Sequence, residues 1–169
     1  MKHNYSIEYE NVIIRPMTAE DSELYRQIRN MDGKRKWFKN RNIIEPQMQQ
    51  KWYETYVKTA GEYMFSVYIK DNVFVGGVSI YNVDEERKEA EFGRLLLDTE
   101  NNGCRGYGTI VTRAIIEMAN RFLKLKKLYL EVYSHNIAAY KTYLKAGFQV
   151  IANKYDSEGQ EMYFMEKEL

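Results

Sequence analysis

Cysteine, proline and histidine are scarce in this chain of 169 residues, and each scarcity removes a class of explanation. The single cysteine, Cys104, excludes an intrachain disulfide and cannot build a structural zinc site, while only His3 and His135 supply imidazole. No metal is expected. With two prolines, no repeat, no linker and no low-complexity stretch, residues 1–169 read as a single domain. No uninterrupted apolar run approaches the roughly 20 residues of a membrane span. The start, Met1-Lys2-His3-Asn4-Tyr5-Ser6, lacks the apolar core of a signal peptide, so a cytoplasmic protein with no membrane partner is expected. Charge of one sign is missing too: 25 Lys+Arg stand against 24 Asp+Glu, a net +1 that argues against general nucleic-acid binding.

Hydrophobic residues make up 44%, enough for a real core. The chain also carries fifteen tyrosines, which suit an aromatic-lined cleft or a half-exposed sheet face.

Val12-Ile13-Ile14-Arg15 reads as a first strand closed by Pro16. Thr18 and Asp21 have the spacing of a capping box before a helix over Ala19 to Asn30, in which Leu24, Ile28 and Met31 repeat on one face. Lys34 to Arg41 sets five basic residues around Trp37 and Phe38, either a solvated loop or a lid over an anionic ligand. Pro46 suits the first turn of a second helix, with Met48, Trp52 and Thr55 or Tyr56 inward. Tyr63, Phe65, Val67 and Ile69 alternate as in a half-buried strand, and Asp71-Asn72 turns into a strand over Val73 to Tyr81, where Gly76-Gly77 signals a bulge or close backbone approach.

Val83 to Arg87 forms a charged turn before Glu89 to Asp98, whose apolar end fits a strand buried on both faces. A helical stripe, Val111, Ala114, Ile115, Met118 and Phe122, follows a glycine-dense turn, and a strand over Leu128 to Tyr133 comes next. Asn136 caps a further helix that stops near Gly147, and Phe148 to Tyr155 with Gln160 to Glu168 closes the chain as a hairpin.

The glycine-dense turn, Gly103-Cys104-Arg105-Gly106-Tyr107-Gly108-Thr109, sits between strand and helix. Glycines let the backbone approach a ligand, and the first N–H groups of a helix have no internal partner, so this is a phosphate cradle or a tight turn before a helix. It is neither a Walker A loop, which ends in Gly-Lys-Ser/Thr, nor a Rossmann turn, because Val111 stands where a third glycine belongs. A second stretch carries Asn136, Ala139, Tyr143, Lys145, Gly147 and Phe148 in Asn-x-x-Ala-x-x-x-Tyr-x-Lys-x-Gly-Phe. Together the two stretches resemble the GNAT family of N-acetyltransferases, nearest its ribosomal-protein, spermidine and amino-sugar branch. Gly106 and Gly108 match the small positions of the family's Gln/Arg-x-x-Gly-x-Gly/Ala turn, whereas Gly103 replaces its Gln or Arg.

The resemblance implies an α/β (α+β) fold, a single mixed and mostly antiparallel central sheet flanked by helices. It also implies acetyl-CoA as co-substrate, its pyrophosphate on Gly103, Cys104, Arg105, Gly106, Tyr107, Gly108 and Thr109, its pantetheine arm along Leu95, Leu96 and Leu97, and Asn136 at its edge. Cys104 lacks a base partner in sequence and reads as a small spacer in the turn. Tyr143 matches the tyrosine that protonates the thiolate. Glu91 is a candidate base, its rival role being an ion pair with Arg87 or Arg94, and Glu131 is a second candidate. The two helices after the first strand wall the acceptor site in this family, making Trp37, Phe38, Trp52, Tyr53 and Tyr56 candidates to line it.

The partner expected is a small-molecule amine, a homodimer being an allowed assembly. Cations and aromatics in Lys34 to Arg41 favour a nucleotide-linked amino sugar, with Arg35 or Arg41 on its phosphate. Polyamine, aminoglycoside and protein N-terminal acceptors are the alternatives, and a non-catalytic acetyl-CoA-binding module is the reading outside enzymes.

Overall fold

The computed structural model describes residues 2–38, 40–101 and 106–169. In chain order they form β1 (Ile7–Tyr9), β2 (Val12–Pro16), α1 (Ala19–Asn30), the short α2 (Asp32–Arg35), α3 (Pro46–Tyr56), β3 (Tyr63–Ile69), β4 (Val73–Asp84), β5 (Glu89–Leu97), α4 (Tyr107–Arg121), β6 (Lys127–Tyr133), α5 (Ile137–Ala146), β7 (Gln149–Tyr155) and β8 (Glu161–Glu168). The strands make one sheet in the order β1-β2-β3-β4-β5-β6-β8-β7. Every neighbouring pair is antiparallel except β5 and β6, which α4 joins as a crossover. The architecture is thus the mixed, mostly antiparallel sheet with helices that the sequence predicts.

Two apolar clusters lie on the two faces of the sheet. Val111, Ala114, Ile115 and Met118 of α4 are fully buried against Ile14, Phe65, Val67, Ile80 and Phe92. On the other face Tyr25 and Ile28 of α1 and Tyr56 of α3 pack with Met17, Met64 and Leu96. Strand β3 is therefore covered on both faces, not half-buried as its alternation suggests: Phe65 and Val67 meet one cluster and Met64 the other. Its polar positions on the α1 side are satisfied rather than solvated. Ser66 donates to Asp21 at 2.8 Å, and Tyr68 donates to the other oxygen of the same carboxylate.

Asp21 also closes the capping box expected at the start of α1. Its N–H donates to Thr18 Oγ1 at 3.1 Å and its carboxylate accepts from the Thr18 N–H at 3.2 Å. One buried carboxylate thus ends the helix and joins it to the sheet.

Several expectations shift by a residue or a face. Strand β1 precedes the one expected, turning at Glu10, and β4 runs on to Asp84, so the charged turn is confined to residues 85–88. In α1 Leu24 is exposed and Tyr25 buried, while in α3 Met48 is exposed and Gln49 buried. Gln49 is inside because its amide donates to the buried Ser22 hydroxyl at 2.7 Å, a polar link between α3 and α1 that apolar periodicity does not reveal. Phe122 ends the α4 stripe half-exposed, stacked on Tyr5 at 6.0 Å.

Gly76 has φ +148°, and a Cβ built on it would lie 2.0 Å from the Leu96 carbonyl oxygen. The bulge and close approach expected here hold β4 against the part of β5 that borders the cleft described below. Gly76→Ala should destabilise the protein by on the order of 3 kcal/mol through strain and displacement of backbone, lowering Tm by roughly 6–12 °C. A Tm within 2 °C of wild type, taking that as about 1 kcal/mol or less, would show that the two strands can separate without loss.

His3 is packed among Tyr5, Tyr63 and Phe65, with ring centroids 4.9–5.6 Å away, and Nε2 lies 3.3 Å from the Met64 carbonyl oxygen. Burial pushes its pKa down to about 4, the bond to Met64 offsetting part of the effect. A histidine depressed in the folded state contributes its full stability above the unfolded value of about 6.5, and loses it as pH falls toward 4 because only the unfolded chain takes up the proton. Stability should therefore decline between pH 6.5 and 4 in urea titrations, and His3→Phe should flatten that decline. An unchanged slope in the variant would assign the acid sensitivity elsewhere.

Candidate functional site

Strands β5 and β6 pair over three positions only, Glu89 with Lys127, Ala90 with Leu128 and Glu91 with Tyr129, and then part. The cause lies on the far side of β5. Gly77 pairs with Leu96 and Ser79 with Gly93, so Arg94 and Leu95 together oppose the single residue Val78. Arg94 takes φ +52° in this bulge. Bulges increase local twist and bend the strand, and here the bend carries Leu95–Leu97 away from β6. Beyond Phe92 the β6-facing edge of β5 has no strand partner among the described residues. A cleft of about 830 Å³ opens in the gap, with β5 and β6 as its floor, α5 along one wall, and residues following α1 along the other.

The bulge is anchored on its α1 side, where Tyr25 donates to the Arg94 carbonyl oxygen at 2.9 Å. The Arg94 guanidinium reaches away to Glu62 and lies over the Tyr81 ring, 4.5 Å from its centroid. Glu91 faces the cleft and accepts two hydrogen bonds, from Tyr81 Oη at 2.6 Å and Asn82 Nδ2 at 2.9 Å. Neither arginine weighed as its partner takes that role: Arg87 lies 3.7 Å from Asp84 and 3.6 Å from Glu89, and Arg94 is on Glu62. Burial, reinforced by the Glu91 carboxylate, pushes the Tyr81 phenol far above its ordinary value, so Tyr81 remains a donor at neutral pH. Glu131 lines the cleft from β6 and accepts from Lys154 Nζ at 3.0 Å.

Tyr143 comes from the inner face of α5, packed edge-on against Phe92 and Phe148 at 5.7 and 6.1 Å. It is 8% exposed, and burial alone pushes its phenol well above the ordinary value. Asn136 caps α5, accepting from the Ala139 N–H at 3.3 Å, and Gly147 ends the helix in the left-handed conformation. Gly106 and Gly108 border the cleft at the start of α4, where a Cβ on Gly108 would come 3.4 Å from Thr142 of α5. The start of α4 therefore packs beside the middle of α5, and the first residues of both helices line the cleft.

At the opposite wall Arg29 is 4% exposed. Its guanidinium lies over Phe38 at 3.7 Å and donates to the Asn40 carbonyl oxygen, while Nη1 has no partner among the described residues. Burial lowers its pKa. Lys34 donates to Thr99 at 3.1 Å.

The structure thus brings together Glu91, Leu95, Leu96, Leu97, Gly106, Gly108, Asn136, Tyr143, Trp37 and Phe38 of the expected site residues. Others fall elsewhere. Arg35 turns back to Asp32, three residues earlier on α2, and Arg41 lies 4.0 Å from Glu158. Trp52 stacks on Tyr56 inside the α1–α3 cluster, and Tyr53 donates to the Met17 carbonyl oxygen, so helix α3 supports the wall without lining it. Tyr107 accepts from Asn11 at 2.8 Å, and Thr109 is tied to Gly106, both outside the lining. Gly103, Cys104 and Arg105 lie outside the described residues. Arg29, Tyr81, Asn82 and Thr142 were not foreseen. Tyr81 is the register partner of Glu91, a relation legible only once the strands are paired.

A family model for the acetyltransferase (GNAT) domain matches residues 11–149. Among solved structures, the chain is similar to spermidine N-acetyltransferase from Vibrio cholerae in complex with CoA and spermine, at TM-score 0.83 and 16% identity over 94% of this chain and 95% of that one. A chimeric form of that enzyme gives TM-score 0.80 at 16% identity over 93% and 95%, and its dodecameric form 0.75 at 17% identity over 94% of each. No curated protein matches the sequence. With a model covering most of its length and a fold shared end to end, the chain belongs to the GNAT acetyltransferase family.

Proposed function

We propose that the protein transfers the acetyl group of acetyl-CoA to a primary amine of a small molecule, and that the cleft between β5 and β6 is where it does so. The observation that carries this is the unpaired edge of β5 at Leu95–Leu97, which runs from Glu91 toward the starts of α4 and α5. An extended, amide-bearing pantetheine arm can pair with such an edge as a strand would. The pyrophosphate then meets the N–H groups at the start of α4 beside Gly106 and Gly108, where a helix N-terminus favours anions.

The reaction forms one N–C bond and breaks one C–S bond. A neutral amine attacks the thioester carbonyl, its proton passes to Glu91 directly or through a water, and the thiolate leaves. Tyr143 stays protonated because of its burial, so its hydroxyl can donate to the charge developing on sulfur. Glu91 is suited to the base role because both its oxygens are fixed by neutral donors rather than neutralised by an arginine.

For the acceptor, likeness of fold favours a polyamine over the nucleotide-linked amino sugar expected from the basic stretch. The cations of a polyamine would meet Glu91 and Glu131. One observation favours the second reading: Arg29 is a buried cation on the cleft wall with no carboxylate partner among the described residues. An amine that also carries a phosphate or carboxylate would compensate it. Acetylation of spermidine and of a nucleotide-linked amino sugar, followed by product mass, should be compared in wild type and Arg29→Gln. A polyamine acceptor predicts an unchanged or lower KM in the variant, and an anionic acceptor a KM raised about tenfold, about 1.4 kcal/mol.

Tyr143→Phe keeps the ring and removes the donor. It should lower kcat by roughly 10²-fold or more with acetyl-CoA affinity retained. Full turnover in steady-state assays of this variant would remove Tyr143 from the chemistry.

A further inference from the structure

Tyr81 and Asn82 are neighbours in β4, yet both donate to the carboxylate of Glu91. Successive residues of a regular strand point to opposite faces of the sheet, so two consecutive side chains cannot ordinarily converge on one group. The register of β4 and β5 shows how this pair does. Tyr81 pairs with Glu91, but the next pairing is Asp84 with Glu89, a two-residue step on β5 against three on β4. The extra residue is absorbed with Asn82 at φ +52°, a left-handed conformation that asparagine tolerates better than most residues. That irregularity swings the Asn82 amide round to the oxygen Tyr81 does not occupy.

Two further features serve the same contact. A Cβ on Gly93 would lie 2.8 Å from the Tyr81 hydroxyl oxygen, so the bare glycine leaves the space in which the phenol reaches Glu91. Arg94, three residues after Glu91, is held by Glu62 across the Tyr81 ring and does not pair with Glu91. From β6, Glu131 and Tyr129 contribute a charge and a phenol near this group.

Resting on the reading of Glu91 as base, we infer that Tyr81 and Asn82 are positioning residues that fix both oxygens of Glu91 for proton removal from the acceptor amine. The bulge at Asn82 and the gap at Gly93 are the backbone features that make this possible. Neither residue is required to touch the substrate. Without them the carboxylate would be free to rotate about its side-chain torsions, and the cost would fall on the proton-transfer step alone.

The test compares kcat for two acceptors, both of which lose one N–H proton on acetylation: a strongly basic primary amine, whose addition intermediate is a weak acid and needs a base, and a weakly basic amine, whose intermediate is acidic enough to give its proton to water. The set is wild type, Tyr81→Phe, Asn82→Gly, Glu91→Gln and the double variants combining Glu91→Gln with each of the others. Phe keeps the ring under Arg94, and Gly keeps the left-handed backbone, so both folds should survive, as thermal melts will show. Tyr81→Phe and Asn82→Gly should each lower kcat for the basic amine by about tenfold, spare the weakly basic amine, leave KM for acetyl-CoA unchanged, and add nothing in the Glu91→Gln background. Equal losses on both amines, or losses that add to Glu91→Gln, would overturn the inference by showing that the residues act through the fold or through another group. If Glu91→Gln itself retains full kcat on the basic amine, the base reading fails instead, whatever Tyr81 and Asn82 do.

Discussion

The site depends on a parallel strand pair that is interrupted early. Parallel pairing of β5 with β6 begins at Glu89 and ends at Glu91, because the bulge at Arg94 and Leu95 bends β5 away from its neighbour. A sheet cannot leave backbone groups unpaired in its interior without cost, so the opening must be lined by something that satisfies them: water when empty, the amides of a ligand when filled. The cleft is therefore a property of register before it is a property of side chains. The start of α4 borders it because α4 is the crossover that a parallel pair requires.

Holding such an opening needs rigid surroundings on both faces. Beneath it α4 contributes a dry apolar layer, and above it α1 is fastened by a polar device, the Asp21 carboxylate shared between the capping box and the hydroxyls of Ser66 and Tyr68. A buried carboxylate is tolerated here because three donors, the Thr18 N–H and the hydroxyls of Ser66 and Tyr68, satisfy it. The same helix sends Tyr25 to the carbonyl of Arg94. The bulge, the helix and the sheet are thus coupled through hydrogen bonds that would all have to yield for the cleft to close.

Most elements were legible because their signals are local: the Thr18–Asp21 box, the stripe on α4, Asn136 and Gly147 at the ends of α5, and the Gly76-Gly77 pair inside β4 are each read from residues close in sequence. What escaped depends on pairing or on polar burial. Gln49 is inside and Met48 outside because a partner hydroxyl, Ser22, waits on another helix. The double coverage of β3 depends on which helices return to it. Arg35 looked like a ligand contact as part of a basic run, yet α2 turns it back to Asp32, whereas Arg29, hidden in an ordinary amphipathic helix, reaches the cleft. Glu91 could be picked out by its level on the strand, but its partners could not, since Tyr81 and Asn82 converge only through a register shift.

This division between backbone and side chain explains how a fold can persist at 16% identity. The features that open the cleft are a bulge, a crossover and two close approaches at glycine, none of which specifies the chemistry of the rim. In the function proposed, acceptor preference would fall to α1 and the segment that follows it, where Arg29, Lys34, Trp37 and Phe38 stand opposite the Glu91 side of the cleft. The two sides carry opposite charge, a carboxylate held by neutral donors and an arginine stacked on an aromatic ring. On that proposal a shared fold constrains where the amine meets the thioester more tightly than it constrains what the rest of the acceptor is, and selectivity would change through the α1 side while the β5 side keeps the reaction.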